Sequence, residues 1–401
     1  MARWQIVRAS RQQTGSRLIA AAGAVAVLAL AACGTSSGPA ATPAGSGGAQ
    51  AQAAAANPNL DPGSTLSGTK APDFRLTNQF GQPISLRAFR GKVVILAFTD
   101  SECTTICPLT TASMVAAKDL LGRAGDQVQL LGVDANPAAT ARSDVMAYSQ
   151  SHGMVNQWDF LTGSLAQLHA VWKAYHVDVQ IQRGQIDHTP ALYVIDPRGQ
   201  ERKLYLTTMA YTSVGQAGQL LAQEASSLLP GHPKLASQRS LAYIGGVSPT
   251  ASTTVPVVNA GTAAAGPAAV SGSITLGPGR PRLVLFFATW LSETSRLRDE
   301  LTSLNGYVQA ARRDKLPGLV ALDEAVTEPS PGTARSYLAH LAQLGTPLRY
   351  PVGLDTTGRI ADGYGAADQP WFALISASGK VLWTHGGWLP VSALEAAARR
   401  G

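Results

Sequence analysis

The stretch Lys92–Leu109, KVVILAFTDSECTTICPL, constrains this chain more than any other. Its apolar run from Val93 to Phe98 reads as a buried strand that feeds a loop carrying Cys103 and Cys107, and Pro108 then opens a helix. The thiols therefore stand at a helix N-terminus, where unpaired amides and the helix dipole favour the thiolate, the form that attacks disulfides and ligates metals. A second stretch, Ile186–Asp196 (IDHTPALYVID), supplies an imidazole. His188 precedes Thr189, Pro190 and another apolar strand, an order that holds the ring beside the cysteine loop if the two strands are neighbours. Two thiolates and one imidazole make a soft three-coordinate set, suited to Cu(I) and ill suited to calcium or magnesium.

The N-terminus sets the compartment. Arg3, Arg8, Arg11 and Arg17 stand without an acid before an apolar run, Leu18 to Leu30, that is short for a membrane span. Residues 1–32 thus read as a secretory signal. They end in Leu30-Ala31-Ala32-Cys33, which resembles the lipobox of bacterial lipoproteins; that resemblance implies cleavage before Cys33 and its acylation. The alternative is an ordinary signal peptide with an incidental cysteine. Of the net charge of +7, those four arginines carry four, so the mature chain is only mildly basic at +3. With no Lys/Arg-rich run interleaved with aromatics, nucleic acid is not an expected partner. Export places the thiols where they oxidise, so a close pair is disulfide-bonded, cycling, or protected by metal.

The length of 401 residues accommodates two domains with linkers. Residues 33–68, rich in Ala, Gly, Ser and Pro, read as the anchor cysteine and a flexible tether. From 69 to 229 strands and helices alternate. LTNQFGQPISL forms a hairpin about Gly81-Gln82; Val93–Phe98, Val128–Asp134, Ala191–Asp196 and Arg202–Leu206 are strands; Thr110–Gly122, Ala138–Ser151, Leu165–Tyr175 and Val214–Leu229 are helices. A tight turn at Asp196–Gly199 joins the last two strands, so the sheet is mixed. Residues 230–269 read as a linker, with an edge strand near Ser273–Leu276 just beyond it. Over 270–401 the pattern returns: strand Arg282–Phe287, helix Glu293–Ala311 and strand Leu319–Leu322. Pro370 precedes Gly379 by the interval that separates Pro190 from Gly199, which suggests two copies of one α/β fold.

At Cys-x-x-x-Cys-Pro (Cys103–Pro108) and Asp187-His188-Thr189, supported by Gly132-Val133-Asp134, Trp158–Gly163 and Ile195–Gly199, the first domain resembles the Sco/SenC family. The resemblance implies a thioredoxin fold, copper, as Cu(I) or Cu(II), held by Cys103, Cys107 and His188, and a part in assembling cytochrome c oxidase. The implied partner is an oxidase subunit or another cuproprotein of the cell envelope, met by a lipid-anchored protein on the outer face of the membrane. Two departures stand out. Thr104 and Thr105 replace the family's usual Pro-Asp, and Pro190 is placed like the cis-proline of thioredoxins. Both leave room for thiol:disulfide exchange, with Cys103 and Cys107 as a redox pair. The second domain resembles redoxins related to membrane-tethered thioredoxins: Phe287-Ala288-Thr289-Trp290 is similar to the lead-in of a Trp-Cys-x-x-Cys site, but Leu291 and Thr294 occupy the cysteine positions. With no thiolate there, that site performs no exchange. The expected fold class is therefore α/β, two thioredoxin-like (redoxin) domains with mixed central sheets.

Simpler readings compete with these. Cys103 and Cys107 are also compatible with a structural disulfide, although so short a loop gains little from closure. Asp187 reads either as an orienting partner or as a solvated turn acid, and the carboxylate of Glu102 opposes thiolate formation nearby. Thr99 lies four residues before Cys103 and Ser101 two, so the Thr-x-x-Cys spacing of peroxiredoxins is absent. Three functions remain open: a copper metallochaperone, a thiol:disulfide oxidoreductase, and a non-catalytic envelope binding protein.

Overall fold

In the computed structural model, residues 46–400 are described except for 58–59, 104–105, 183–184, 207–213, 239, 242–251, 260–271, 294–295 and 367–368. The proposed signal and Cys33 lie outside the described residues. The first half runs α1 (Ser46–Ala55), β1 (Ser64–Thr65), β2 (Arg75–Asn78), β3 (Pro83–Ser85), β4 (Val93–Thr99), α2 (Ile106–Leu121) and β5 (Val128–Asp134). It continues with α3 (Arg142–Ser151), β6 (Asp159–Thr162), α4 (Leu165–Ala174), β7 (Val179–Gln182), β8 (Gln185–His188), β9 (Ala191–Ile195), β10 (Glu201–Leu206) and α5 (Val214–Leu228).

Eight of these strands form one sheet in the order β1-β10-β9-β4-β5-β6-β2-β3. β4, β5 and β6 are parallel, while β9 and β10 return antiparallel on the other side of β4. A β-α-β unit followed by an antiparallel hairpin and a closing helix is a thioredoxin-like arrangement. The period-two alternation of a strand explains how β4 is buried on both faces. Val93, Ile95 and Ala97 point into the layer that holds α2, α3 and α5, whereas Val94, Leu96 and Phe98 face α4. α2 and α5 pack closely because Gly218 leaves no side chain between them: a Cβ there would lie 2.8 Å from Ala116 Cβ. β7 and β8 form a separate two-stranded ribbon, and this ribbon ends in His188.

The second half contains β11 (Thr253–Pro256), β12 (Ser273–Leu276), β13 (Arg282–Phe287), α6 (Leu297–Asp314), β14 (Gly318–Asp323), α7 (Pro331–Gln343) and β15 (Val352–Leu354). After these come α8 (Arg359–Tyr364), β16 (Trp371–Ile375), β17 (Val381–Gly386) and α9 (Val391–Ala398). Its five-stranded sheet, β15-β14-β13-β16-β17, reproduces the order and directions of β6-β5-β4-β9-β10. The repeated proline-to-glycine interval marks equivalent hairpins, with Gly199 at φ 76° and Gly379 at φ 84°. Two mixed α/β sheets of one topology are thus present.

Several local expectations differ from the structure. Part of the stretch read as a tether is the alanine-rich α1, whose Ala54 packs with Leu60 beyond it and with Leu241. Asn57 fixes this packing by donating from Nδ2 to Gln216 Oε1 and to the Leu241 carbonyl. Within the stretch read as a linker, β11 pairs antiparallel with β12. The helix expected from Glu293 begins at Leu297, after a 3-10 turn over Thr289–Glu293. Among the described residues the cis X-Pro bond is Gln369–Pro370, so the likeness of Pro190 to the thioredoxin cis-proline does not extend to its peptide bond.

Candidate dithiol and imidazole site

β4 leaves the sheet at Thr99 and the chain turns through Asp100–Cys103 before α2 starts at Ile106, which puts Cys107 in the first helical turn. The turn is held by backbone and side chain together. Cys103 N donates to the Asp100 carbonyl at 3.1 Å, and Glu102 N donates to Asp100 Oδ1 at 2.8 Å. Asn136, two residues beyond β5, clamps it from the neighbouring strand: its Nδ2 donates to Asp100 Oδ1 at 2.7 Å and to Glu102 Oε2 at 3.1 Å. Its Oδ1 accepts from Ala138 N and Ala139 N. This buried asparagine was missed by sequence reasoning; its one signal is its place just past the C-terminal end of the strand beside β4, where loops of α/β sheets converge.

Cys103 is half-buried and Cys107 buried. The helix N-terminus favours a thiolate at Cys107, but its immediate surroundings oppose one. A hydrogen bond with Cys103 and then burial push its thiol well above the usual range, outweighing the backbone hydrogen bond from Asp100. Glu102 is exposed and directed to Asn136; the carboxylate that opposes ionisation of Cys107 is that of Asp100. Tyr148 of α3 lies behind the pair. Its hydroxyl is raised by burial first and then by Cys107 and Cys103.

Across a cavity of about 10 Å³ stands His188. The lining comprises Phe98, Thr99, Ile106, Cys107, Thr110, His188, Pro190 and Ala191, so the second thiol and the imidazole share one space of about one water's size. His188 Nδ1 lies 3.1 Å from the Thr189 carbonyl; as donor there it leaves the lone pair on Nε2, the tautomer a metal ligand needs. Burial lowers the His188 pKa, which also keeps the ring neutral. Thr189 is itself pinned, N to the Asp178 carbonyl at 2.9 Å and Oγ1 accepting from Asp178 N at 3.1 Å. Asp187 is exposed. Among the described residues no three His, Cys, Asp or Glu side chains stand around one point as a ready metal cage. The structure therefore brings together Cys103 with Cys107 and Cys107 with His188, but leaves the triad open. Thr104 and Thr105 lie outside the described residues.

In the second half the loop after β13 is built differently. Leu291, at the position of a first cysteine, is buried, as is Trp290, and Thr294 lies outside the described residues. Thr289 donates from N and Oγ1 to Glu328, and Trp290 Nε1 donates to Thr327 Oγ1 at 3.1 Å.

Fold and site together define a thioredoxin-like domain with an x-x-x-spaced dithiol at a helix start and a histidine before the returning strand. Residues 63–218 match the family model described as SCO1/SenC, and this part of the chain is similar to that family. A relative from Bacillus subtilis (strain 168), named SCO1 protein homolog, is 27% identical over 137 residues, covering 33% of this chain and 71% of its own. Of three further relatives this chain spans between 44% and 58%. Among solved structures, copper-bound ScoI of Bradyrhizobium japonicum is 19% identical with a TM-score of 0.34, over 40% of this chain and all of its own, 100%. BsSco, described as a member of the Sco family of cytochrome c oxidase assembly proteins and as containing a disulfide switch, is 24% identical. Its TM-score is 0.31, over 36% of this chain and 88% of its own. No helix among the described residues is long and apolar enough to cross a membrane.

Proposed function

We propose that the chain is an extracytoplasmic copper metallochaperone of Sco/SenC type, lipid-anchored through Cys33, that serves assembly of the copper site of cytochrome c oxidase. The observation that carries this reading is the cavity shared by Cys107 and His188, with the Nδ1 of His188 already committed to a carbonyl. In this reading Cys103 and Cys107 bind copper as thiolates and His188 through Nε2. Cys103 and Cys107 each lose a proton on uptake, so binding competes with protonation of the buried thiol. Because the triad is open, closure brings the end of the β7–β8 ribbon toward the dithiol; this ribbon is outside the main sheet, so its movement breaks no central ladder. The half-exposed Cys103 is the thiolate from which a recipient's ligand displaces the metal. The test is titration of the reduced protein with Cu(I) against a competing chelator. Wild type is expected to take up close to one equivalent, the Cys103→Ser and Cys107→Ser variants to lose tight binding, and His188→Ala to weaken it. Uptake by the double serine variant equal to wild type would end this reading.

The unequal exposure of the cysteines favours one second reading, a thiol:disulfide oxidoreductase. The Cys103 thiolate attacks a target disulfide and expels one target thiolate; Cys107 then attacks the Cys103 sulfur of the mixed disulfide and expels the protein from its target, leaving a Cys103–Cys107 disulfide. Here His188→Ala is expected to spare reductase turnover while weakening copper binding.

A further inference from the structure

The second half carries Leu291 and Thr294 where a redox loop would carry cysteines, and its Thr289–Leu291 turn is buried rather than presented. Trp290 and Leu291 pack into the second half's own core, and the first half reaches the same turn. The ring of His152, which caps the C-terminus of α3, meets Trp290 edge-on, with ring centroids 5.7 Å apart at 68°. Beside it Gly153 runs against the backbone of Pro329: a Cβ on Gly153 would lie 2.7 Å from Pro329 Cα and 2.8 Å from its carbonyl oxygen. Trp290 is fixed from below by its bond to Thr327, whose Oγ1 also donates to the Glu324 carbonyl at 2.8 Å. The contact does not stop at the boundary. His152 stacks obliquely on Tyr148 with centroids 4.4 Å apart, and Tyr148 sits in the same apolar layer as Cys107, with Cys103 packed against it. Three rings thus lead from the dithiol to the place where the second half's own cysteines would stand.

We propose that the Thr289–Leu291 turn and the Thr327–Pro329 turn of the second half are an intramolecular dock for the His152–Gly153 corner of the first, and that through Tyr148 this dock braces the rear wall of the dithiol site. The occupant of the vestigial redox face is therefore the chain's own α3, and the kind of partner it fits is an aromatic edge followed by a glycine. Two features agree on this. His152 is buried between the Tyr148 and Trp290 rings, as suits a ring used for packing rather than for charge. Gly153 holds φ 67° and has no room for a side chain. This inference is independent of whether the site carries copper.

The full-length mature chain tests it through three variants. Trp290→Ala removes the ring from the second half, Trp290→Phe keeps a ring, and Gly153→Asn keeps a residue type that tolerates the left-handed backbone while placing a Cβ against Pro329. Small-angle scattering reads the docking, and the rate at which the reduced chain reacts with an aromatic disulfide reagent reads the brace. Trp290→Ala and Gly153→Asn are expected to raise the radius of gyration by roughly 3–5 Å. Both are also expected to speed thiol labelling severalfold, with Trp290→Phe close to wild type in each readout. If Trp290→Ala fails to fold, Gly153→Asn decides alone, since it leaves both cores intact. Wild-type scattering and wild-type labelling in the folded variants would overturn the proposal, because neither dock nor brace would then exist.

Discussion

At Asp134 the first sheet buries a carboxyl completely at the end of β5, where Oδ1 accepts from Asn136 N at 3.1 Å and Oδ2 has no hydrogen-bond partner. Burial pushes its pKa up to about 8, with Asp100 adding to the rise. Because the folded value lies above the unfolded one, the stabilisation is present in full below the ordinary carboxylate pKa of 3.8. It is lost as pH rises toward about 8. The loss runs at about 1.4 kcal/mol per pH unit inside that window. Asp134→Asn keeps an oxygen acceptor and removes the titration, so its advantage over wild type in urea unfolding is expected to be small at pH 4.5 and several kcal/mol, at order of magnitude, at pH 8.5. Equal curves at both pH values would show that Asp134 titrates normally in the fold. Cys107 obeys the same logic in binding. Its raised thiol makes the proposed Cu(I) affinity climb with pH beyond the point where an ordinary cysteine would have ionised, and chelator competition between pH 6 and 9 should trace that rise.

At the level of elements, Gly132 shows how β5 depends on one absent side chain. A Cβ there would lie 2.6 Å from Trp158 Cζ3 and 2.9 Å from Phe160 Cδ2. Gly132→Ala is expected to cost about 1–3 kcal/mol by overpacking, measured by chemical denaturation. At α4 the capping box is explicit: Ser164 Oγ accepts from Gln167 N at 3.3 Å and Ser164 N donates to Gln167 Oε1 at 3.0 Å. Ser164→Ala should cost about 1 kcal/mol in the same assay. The elements that sequence revealed are those whose burial is continuous. β4, β5, β9 and β13 read correctly because both their faces are covered and most of the residues between turn signals are apolar. α1 was hidden because alanine and glycine carry no apolar period, and β11 because its residues are mostly exposed. In the site, Cys103, Cys107 and His188 were legible as chemically distinctive side chains near strand ends. Asn136, Asp100 and Tyr148 were not, since each acts through a contact made only when α3 and the loop after β5 close over β4.

For the whole molecule, the cores matter more than the shared topology. The first half owns apolar layers on both faces of β4, and the second owns its own layers on both faces of β13, with Leu283, Leu285 and Phe287 on one and Val284 and Phe286 on the other. No core cluster among the described residues mixes the two halves. What joins them includes the small aromatic and backbone contact at His152, Gly153, Trp290 and Pro329, far less than either interior. Two separately cooperative units are therefore expected, because cooperativity follows shared burial and a small dock supplies little. Calorimetry of the full chain should resolve two unfolding transitions. Ile95→Ala empties a site with no exposure at the centre of the first sheet and Leu285→Ala does the same in the second, each costing about 2–5 kcal/mol. For units of this size each variant should lower one transition by roughly 5–15 °C and leave the other within a few degrees. A single transition moved equally by both substitutions would mean that the dock fuses the halves into one folding unit.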